Sequence, residues 1–267
     1  MDGAAQQYLD ALIAAARGVL GENLVGAYAA GSIGLDAFQP GRSDVDVALT
    51  VTDALPEPQK RALVAALRHE NLPCPARGLE LVVYRCAVAR SGTAEPGFEV
   101  ELNSGPRMDF RETYSPDARP VADGLFWYAL DRSILHQAGR TLFGAPAAEA
   151  FADVRPAELH QLLVDALSWW IARPTPPGDE PAPGTEDAIL GACRSLVKHR
   201  HGGWLPKIAA GRRLATEPTA PDRVASIEKA IAARTGGPPP SGPEARAFQL
   251  WVLDEISGSP ARPGSAG

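Results

Sequence analysis

Two aspartates one residue apart, Asp44 and Asp46, open an apolar run, and a Gly31-Ser32 pair follows an earlier one. In an extended strand, residues two apart point to the same side. The two carboxylates therefore project together, roughly 6.6 Å apart along the chain. Like charges on one face repel unless something positive sits between them. Magnesium suits that place, because it takes oxygen ligands and commonly shares one or two carboxylates with substrate phosphates. Gly31 lets the backbone come close to a phosphate, and Ser32 offers a hydroxyl and an amide. Together these residues can hold a nucleoside triphosphate with a divalent metal beside it, a layout for nucleotidyl transfer. Each part also has a plainer reading. The Asp pair fits a solvated strand start, Gly31-Ser32 fits a turn, and Ser43 fits either a phosphate contact or a turn cap.

A third carboxylate, Glu80, sits inside the apolar stretch Leu79-Glu-Leu-Val-Val-Tyr84. A charge centred in an apolar strand is unexpected. Glu80, Val82 and Tyr84 share one side of that strand. If the strand lies beside the Asp strand, Glu80 faces the same cleft. There it is a general base for an attacking hydroxyl, a third metal ligand, or a carboxylate on a solvated sheet face. Further on, residues 188–216 contain no acid but carry Arg194, Lys198, Arg200, Lys207, Arg212 and Arg213. This positive stretch suits phosphates or is a solvated helix face. Arg194, Lys198 and His201 lie at helical spacing on one face. Lys207 follows Trp204-Leu-Pro206, where a helix can start.

The elements that must position these groups read as follows. Residues 4–20 have helical apolar spacing, with Leu9, Leu12, Ile13, Ala16 and Leu20 on one face, and Gly21 can end the helix. Strands are expected at 24–30, 45–51, 79–84 and 98–102, with a helix at 56–70 between the second and third. Residues 121–138 read as helix and 140–143 as a short strand. After residue 153 strand signals stop. Helices are expected at 156–172, 186–201, 221–234 and 244–257, and the prolines of 174–184 rule out regular structure there. This is an α+β chain: a mixed-sheet domain over 1–152, an all-α domain over 153–258 and a disordered tail over 259–267.

Composition narrows the function classes. The chain has 267 residues, 45% of them apolar, and a formal charge of −6. The acidic balance argues against a general nucleic-acid binder, which needs a basic footprint. Three scattered cysteines, Cys74, Cys86 and Cys193, give neither a metal spacing nor a disulfide framework. The N-terminal residues lack the basic start and apolar stretch of a signal peptide, and no apolar run approaches the roughly 20 residues of a membrane span. A cytoplasmic, monomeric protein without nucleic-acid or membrane partners is expected.

Gly31-Ser32, Ser43-Asp-Val-Asp46 and Glu80 together resemble the nucleotidyltransferase superfamily of polymerase-β type. The likeness narrows to the aminoglycoside adenylyltransferases that modify streptomycin and spectinomycin. It extends through Ser43-Asp-Val-Asp-Val-Ala-Leu-Thr-Val-Thr52, Leu79-Glu-Leu-Val-Val83, Leu142-Phe-Gly-Ala-Pro146, Ile189-Leu-Gly-Ala-Cys-Arg-Ser-Leu196 and Trp204-Leu-Pro-Lys-Ile-Ala-Ala-Gly211. The resemblance implies a nucleotidyltransferase domain, a C-terminal helical bundle, and ATP and acceptor in a cleft between them. It implies Asp44 and Asp46 as magnesium ligands, Glu80 as base, and Arg194 and Lys207 at the ATP phosphates; the residues' own pattern adds Glu80 as a third metal ligand and Gly31, Ser32, Ser43 and Lys198 around the nucleotide. The product would be an adenylylated aminoglycoside or aminocyclitol, giving antibiotic resistance. Glu99, Glu101, Asp109, Glu186 and Asp187 are the acids that could meet a cationic acceptor, with Arg107 as a further candidate contact to the substrate, although Thr185-Glu-Asp187 also reads as a helix cap with acids in its first turn. The chain departs from the family at Leu102-Asn-Ser-Gly-Pro-Arg-Met108, which has no tryptophan to stack on a drug. The same chemistry on another hydroxylated metabolite is the alternative. An antitoxin-type enzyme acting on a protein is less in keeping with a large helical second half.

Overall fold

Alternation of buried and polar-facing positions builds a six-stranded sheet from β1 (Leu24–Ala29), β2 (Val45–Val51), β3 (Leu79–Arg85), β4 (Phe98–Gly105), β5 (Met108–Thr113) and β6 (Arg140–Phe143). The strand order is β5-β4-β3-β2-β1-β6. The sheet is mixed: β2 and β3 run parallel, and the other neighbours are antiparallel. This is a computed structural model describing residues 3–218 and 221–258, so the tail 259–267 lies outside the described residues. The chain divides into two compact units, 1–155 and 156–267.

In the first unit the helices are α1 (Gly3–Leu20), α2 (Gly31–Gly34), α3 (Glu57–Leu67), α4 (Cys86–Ala89), α5 (Phe126–Ala138) and α6 (Ala147–Ala150). One sheet face carries Val45, Val47, Leu49 and Val51 with Leu79, Leu81, Val83, Val100 and Leu102. It is sealed by Leu9, Leu12 and Ala16 of α1 and Leu63, Val64 and Leu67 of α3. Each such side chain, fully buried, contributes about 1.5–3 kcal/mol. The opposite face is covered by a second cluster that includes Tyr28, Ala48, Tyr84, Tyr128 of α5, Ala147 and Ala150 of α6, and Phe151. Phe151 stands edge-on to Tyr28 and Tyr84, with ring centroids 5.1 and 6.4 Å away. Asp46 and Glu80, each the second residue of its strand, are half-buried outside this cluster.

The second unit consists of α7 (Pro156–Ala172), α8 (Thr185–His201), α9 (Lys207–Ala215), α10 (Pro221–Ala233) and α11 (Gly242–Ser257). α8 packs against each of the others, burying Ile189, Leu190, Cys193, Leu196 and Val197. The proline-rich stretch between α7 and α8 is irregular, as expected. The Arg246 guanidinium on α11 holds it by donating to Ile171 O, Arg173 O and Thr175 Oγ1.

Several expectations change in detail. Gly31 and Ser32 are not a turn but the start of α2, which caps the end of β1. The helix expected from residue 121 begins at Phe126. Gly124 takes a left-handed conformation, φ 72°, where a side chain would also strike the Phe126 ring, and the chain turns there instead. Strand β4 runs on to Gly105, and β5 was not expected. As an edge strand with exposed Asp109 and Phe110, β5 lacks the apolar alternation by which a strand is recognised.

Candidate functional site

The parallel pairing of β2 and β3 sets Asp46 directly opposite Glu80. Both therefore point to the face that α1 and α3 do not cover. Asp44 lies just before β2, and the Ala30 amide donates to Asp46 O at 2.9 Å, binding the start of α2 to the same strand. Gly31 has φ 51°, and a Cβ there would overlap the Asp46 carboxylate. Only glycine lets that carboxylate pack so close to the backbone. The Ser32 hydroxyl is shielded from solvent and has no hydrogen-bond partner among the described residues. Such a group ordinarily has a partner, so a ligand oxygen fits this position. Ser43 is buried, and its Oγ accepts from the Gln39 amide at 3.0 Å, which closes the 39–43 turn.

Burial, then the charges of Asp46 and Asp44, push the Glu80 carboxyl up to about 8. The three acids thus feel one another, but they do not converge. Arg77 grips Asp44 through both guanidinium nitrogens, at 2.5 and 2.9 Å. No three His, Cys, Asp or Glu side chains among the described residues form a ready-made metal cluster. The donor set itself fits magnesium: carboxylate oxygens of Asp46 and Glu80 on one face of the sheet, and a buried, unsatisfied hydroxyl on Ser32, the residue after the glycine that packs against Asp46.

The candidate acceptor contacts separate into two kinds. Arg107 is exposed at the tip of the β4–β5 hairpin, where it donates to Gly41 O at 2.7 Å. It lines a pocket of about 480 Å³ that includes Glu80, Arg77, Asn103, Phe110 and Arg111. Glu99 and Glu101 are buried and engaged by the chain's own cations. Glu99 meets Arg85 at 2.9 Å and Lys60 at 3.1 Å. Glu101 meets Arg111 at 3.1 Å and Arg119 at 3.2 Å. Arg77, Asn103, Phe110 and Arg111 were missed in the sequence. Arg77 lies in an unpatterned loop, and its one signal is a lone cation just ahead of the Glu80 strand. The other three fall on or beside the unexpected edge strand.

In the second unit, Lys207 Nζ is 3.0 Å from Asp187 Oδ1, and Arg234 reaches the same oxygen. Burial pushes the Lys207 ammonium down, Asp187 raises it, and Arg194 adds to the lowering. Lysine, two arginines and one aspartate thus form a cation-rich cluster suited to an anion. Arg234 was missed because it lies beyond the acid-free stretch. Glu186 is buried and accepts from the Gly184 amide at 2.9 Å, the capping role that its position at a helix start suggested. Lys198 is buried and donates to Gly202 O at 2.9 Å, with its Nζ 5.2 Å from the Trp204 ring centre. Arg194, on the same helix face, lies 5.9 Å from that ring. His201 instead meets Glu217 at 2.7 Å, and Arg200 meets the same carboxylate at 3.0 Å. Among the described residues, no helix is long and apolar enough to cross a membrane.

No family model matches the chain, and no curated protein matches its sequence. Among solved structures, it is similar to the spectinomycin adenyltransferase AAD(9) from Enterococcus faecialis, determined with ATP and spectinomycin. The TM-score is 0.68 at 15% sequence identity, over 95% of this chain and 99% of that one. What the two proteins share at that identity is a fold.

Proposed function

We propose that this protein is a magnesium-dependent nucleotidyltransferase that moves AMP from ATP to a hydroxyl of a small molecule. The observation that supports the reading best is Asp46 abreast of Glu80 on parallel strands, with the Asp46 carboxylate seated against Gly31 where any side chain would displace it. A mixed sheet with these acids at the starts of its parallel pair also supports the polymerase-β-type assignment of the first unit.

In this reading Glu80 accepts the proton of the acceptor hydroxyl. The hydroxyl oxygen attacks the α-phosphorus of ATP, the bond to the bridging oxygen breaks, and pyrophosphate leaves. Ser32 donates its unsatisfied hydroxyl to a phosphate oxygen. Asp46, and Asp44 once it releases Arg77, would hold magnesium, which compensates the charge developing on the phosphates. Arg194 and Lys207 are assigned to the nucleotide phosphates on their charge and on the motifs that carry them. Lys207→Ala should then weaken ATP binding by about 1.5–3 kcal/mol, the scale of a hydrogen bond to a charged group.

The motif resemblance and the shared fold favour an aminoglycoside or aminocyclitol as acceptor, with antibiotic resistance as the outcome. The same chemistry on another hydroxylated metabolite is favoured by a different observation. Glu99 and Glu101, acids that a cationic drug would need, are bound to Lys60, Arg85, Arg111 and Arg119. The test is mass spectrometry of aminoglycosides, spectinomycin and neutral and acidic sugars after incubation with the full chain, ATP and magnesium. The reading expects a gain of one AMP on at least one acceptor. Absence of an AMP gain on every acceptor, together with absence of pyrophosphate release, would refute it.

A further inference from the structure

The pocket beside Glu80 is walled by guanidinium groups. Arg77 comes from the loop before β3, Arg107 from the hairpin tip and Arg111 from β5, and the acids of the lining are Glu80 and Asp109. Three positive groups therefore share the lining with two negative ones, one of which is the candidate base; of the three, Arg77 is also paired with Asp44 and Arg111 with Glu101. Glu101 does not line the pocket but holds Arg111 in place from behind, sharing its charge with buried Arg119. Arg107 carries five N–H donors, and one of them is engaged by Gly41 O. Met108 also lines the pocket; the Phe110 ring, 46% exposed, is stacked by Arg68 at 4.8 Å.

We infer that this pocket binds an acceptor carrying an anionic group, a phosphate or a carboxylate, near the hydroxyl that faces Glu80. The inference rests on the proposed reaction for the pocket's role as acceptor site. Guanidinium forks match phosphate and carboxylate oxygens two at a time, and a polycation would enter against Arg77, Arg107 and Arg111 at short range. Arg107 and Arg111 hold the anion, and Asn103 is placed to contact the hydroxylated body between them and Glu80.

The experiment is an NMR titration of the full chain, following backbone amides 103–111, with glucose 6-phosphate, glucuronate, glucose and spectinomycin as separate probes. Both acidic probes should shift these amides and saturate, and the tighter of the two identifies the preferred anion. Arg107→Gln and, independently, Arg111→Gln should each weaken the acidic probes about tenfold to a hundredfold, leaving glucose unchanged. Absence of saturable shifts with both acids would overturn the inference. So would unchanged affinity in both variants, or variants that weaken magnesium-ATP in place of the acids. Pyrophosphate release, measured in parallel, separates the two claims. Transfer to spectinomycin but to neither acid upholds the reaction and overturns the pocket's preference. Arginine-dependent binding of the acids without pyrophosphate release upholds the preference and refutes the reaction.

Discussion

Two pairs of carboxylates sit in neighbouring strands of one sheet and have opposite circumstances. Glu99 and Glu101 on β4 are each held by two cations at 2.9–3.2 Å. Asp46 and Glu80, on β2 and β3, face each other, and the Glu80 carboxyl is pushed up to about 8 by burial and by its acidic neighbours. A buried carboxylate with well-placed cations belongs to the scaffold. One held close to like charge on an open face is set up for a cation or a proton that arrives with the ligands. The two pairs differ in burial, but their partners are the sharper difference: cations for one, other acids for the other.

The contrast can be broken first at Asp46. Asp46→Asn should bring pyrophosphate release below detection while circular dichroism shows an intact fold, since the proposed metal ligand is lost with almost no change in volume. Release near the wild-type rate would remove Asp46 from the site. Glu80→Gln comes next, with an expected loss of about 10²–10⁴-fold in rate and little change in ATP affinity by calorimetry. A collapse of ATP affinity would make Glu80 chiefly a metal ligand.

Glu101→Gln sharpens the other side. It leaves Arg119, 4% exposed, without its main counter-charge, which costs about 3–5 kcal/mol. Thermal unfolding should then start roughly ten degrees lower, while turnover per folded molecule changes far less than in the first two variants. Equal losses of rate in Glu101→Gln and Glu80→Gln would erase the distinction.

The smallest effect concerns Glu217. Partial burial pushes its carboxyl up, but hydrogen bonds from His201 and Arg200 outweigh burial and hold it below the usual range. A depressed folded-state value stabilises above the unfolded pKa of about 4.3 and is lost as pH falls through the folded value. Glu217→Gln should flatten part of the stability loss below about pH 4.3 by at most about 1 kcal/mol. An unaltered acid limb in denaturant titrations would show that the pair contributes nothing.

Much of this was legible in the chain. Strand β2 was read at its observed limits because Val45, Val47, Leu49 and Val51 alternate with polar or small residues, and the same alternation showed that Asp46 faces away from the core. Glu80 was legible as a charge misplaced in an apolar run, and its strand proved to be the neighbour of the Asp strand. What could not be read were partners. Arg77 on Asp44, Arg119 on Glu101 and Arg234 on Asp187 join residues far apart in sequence, and no local pattern marks them. Lys198 lies where spacing put it, on one face with Arg194 beside Trp204, but no local pattern marks the bond of its amine to Gly202 O.

The parallel register of β2 and β3 has a kinetic consequence. The β4–β5 hairpin closes across Pro106 and Arg107, a contact of microseconds. Asp46 and Glu80 meet only after the chain has closed the long crossover through α3, and it does so against their mutual repulsion. Non-local pairings of this kind set the pace of folding. A nascent or partly melted chain can therefore possess the arginine-lined hairpin without the acid pair. Catalytic competence should return in step with global refolding and not with the early hairpin.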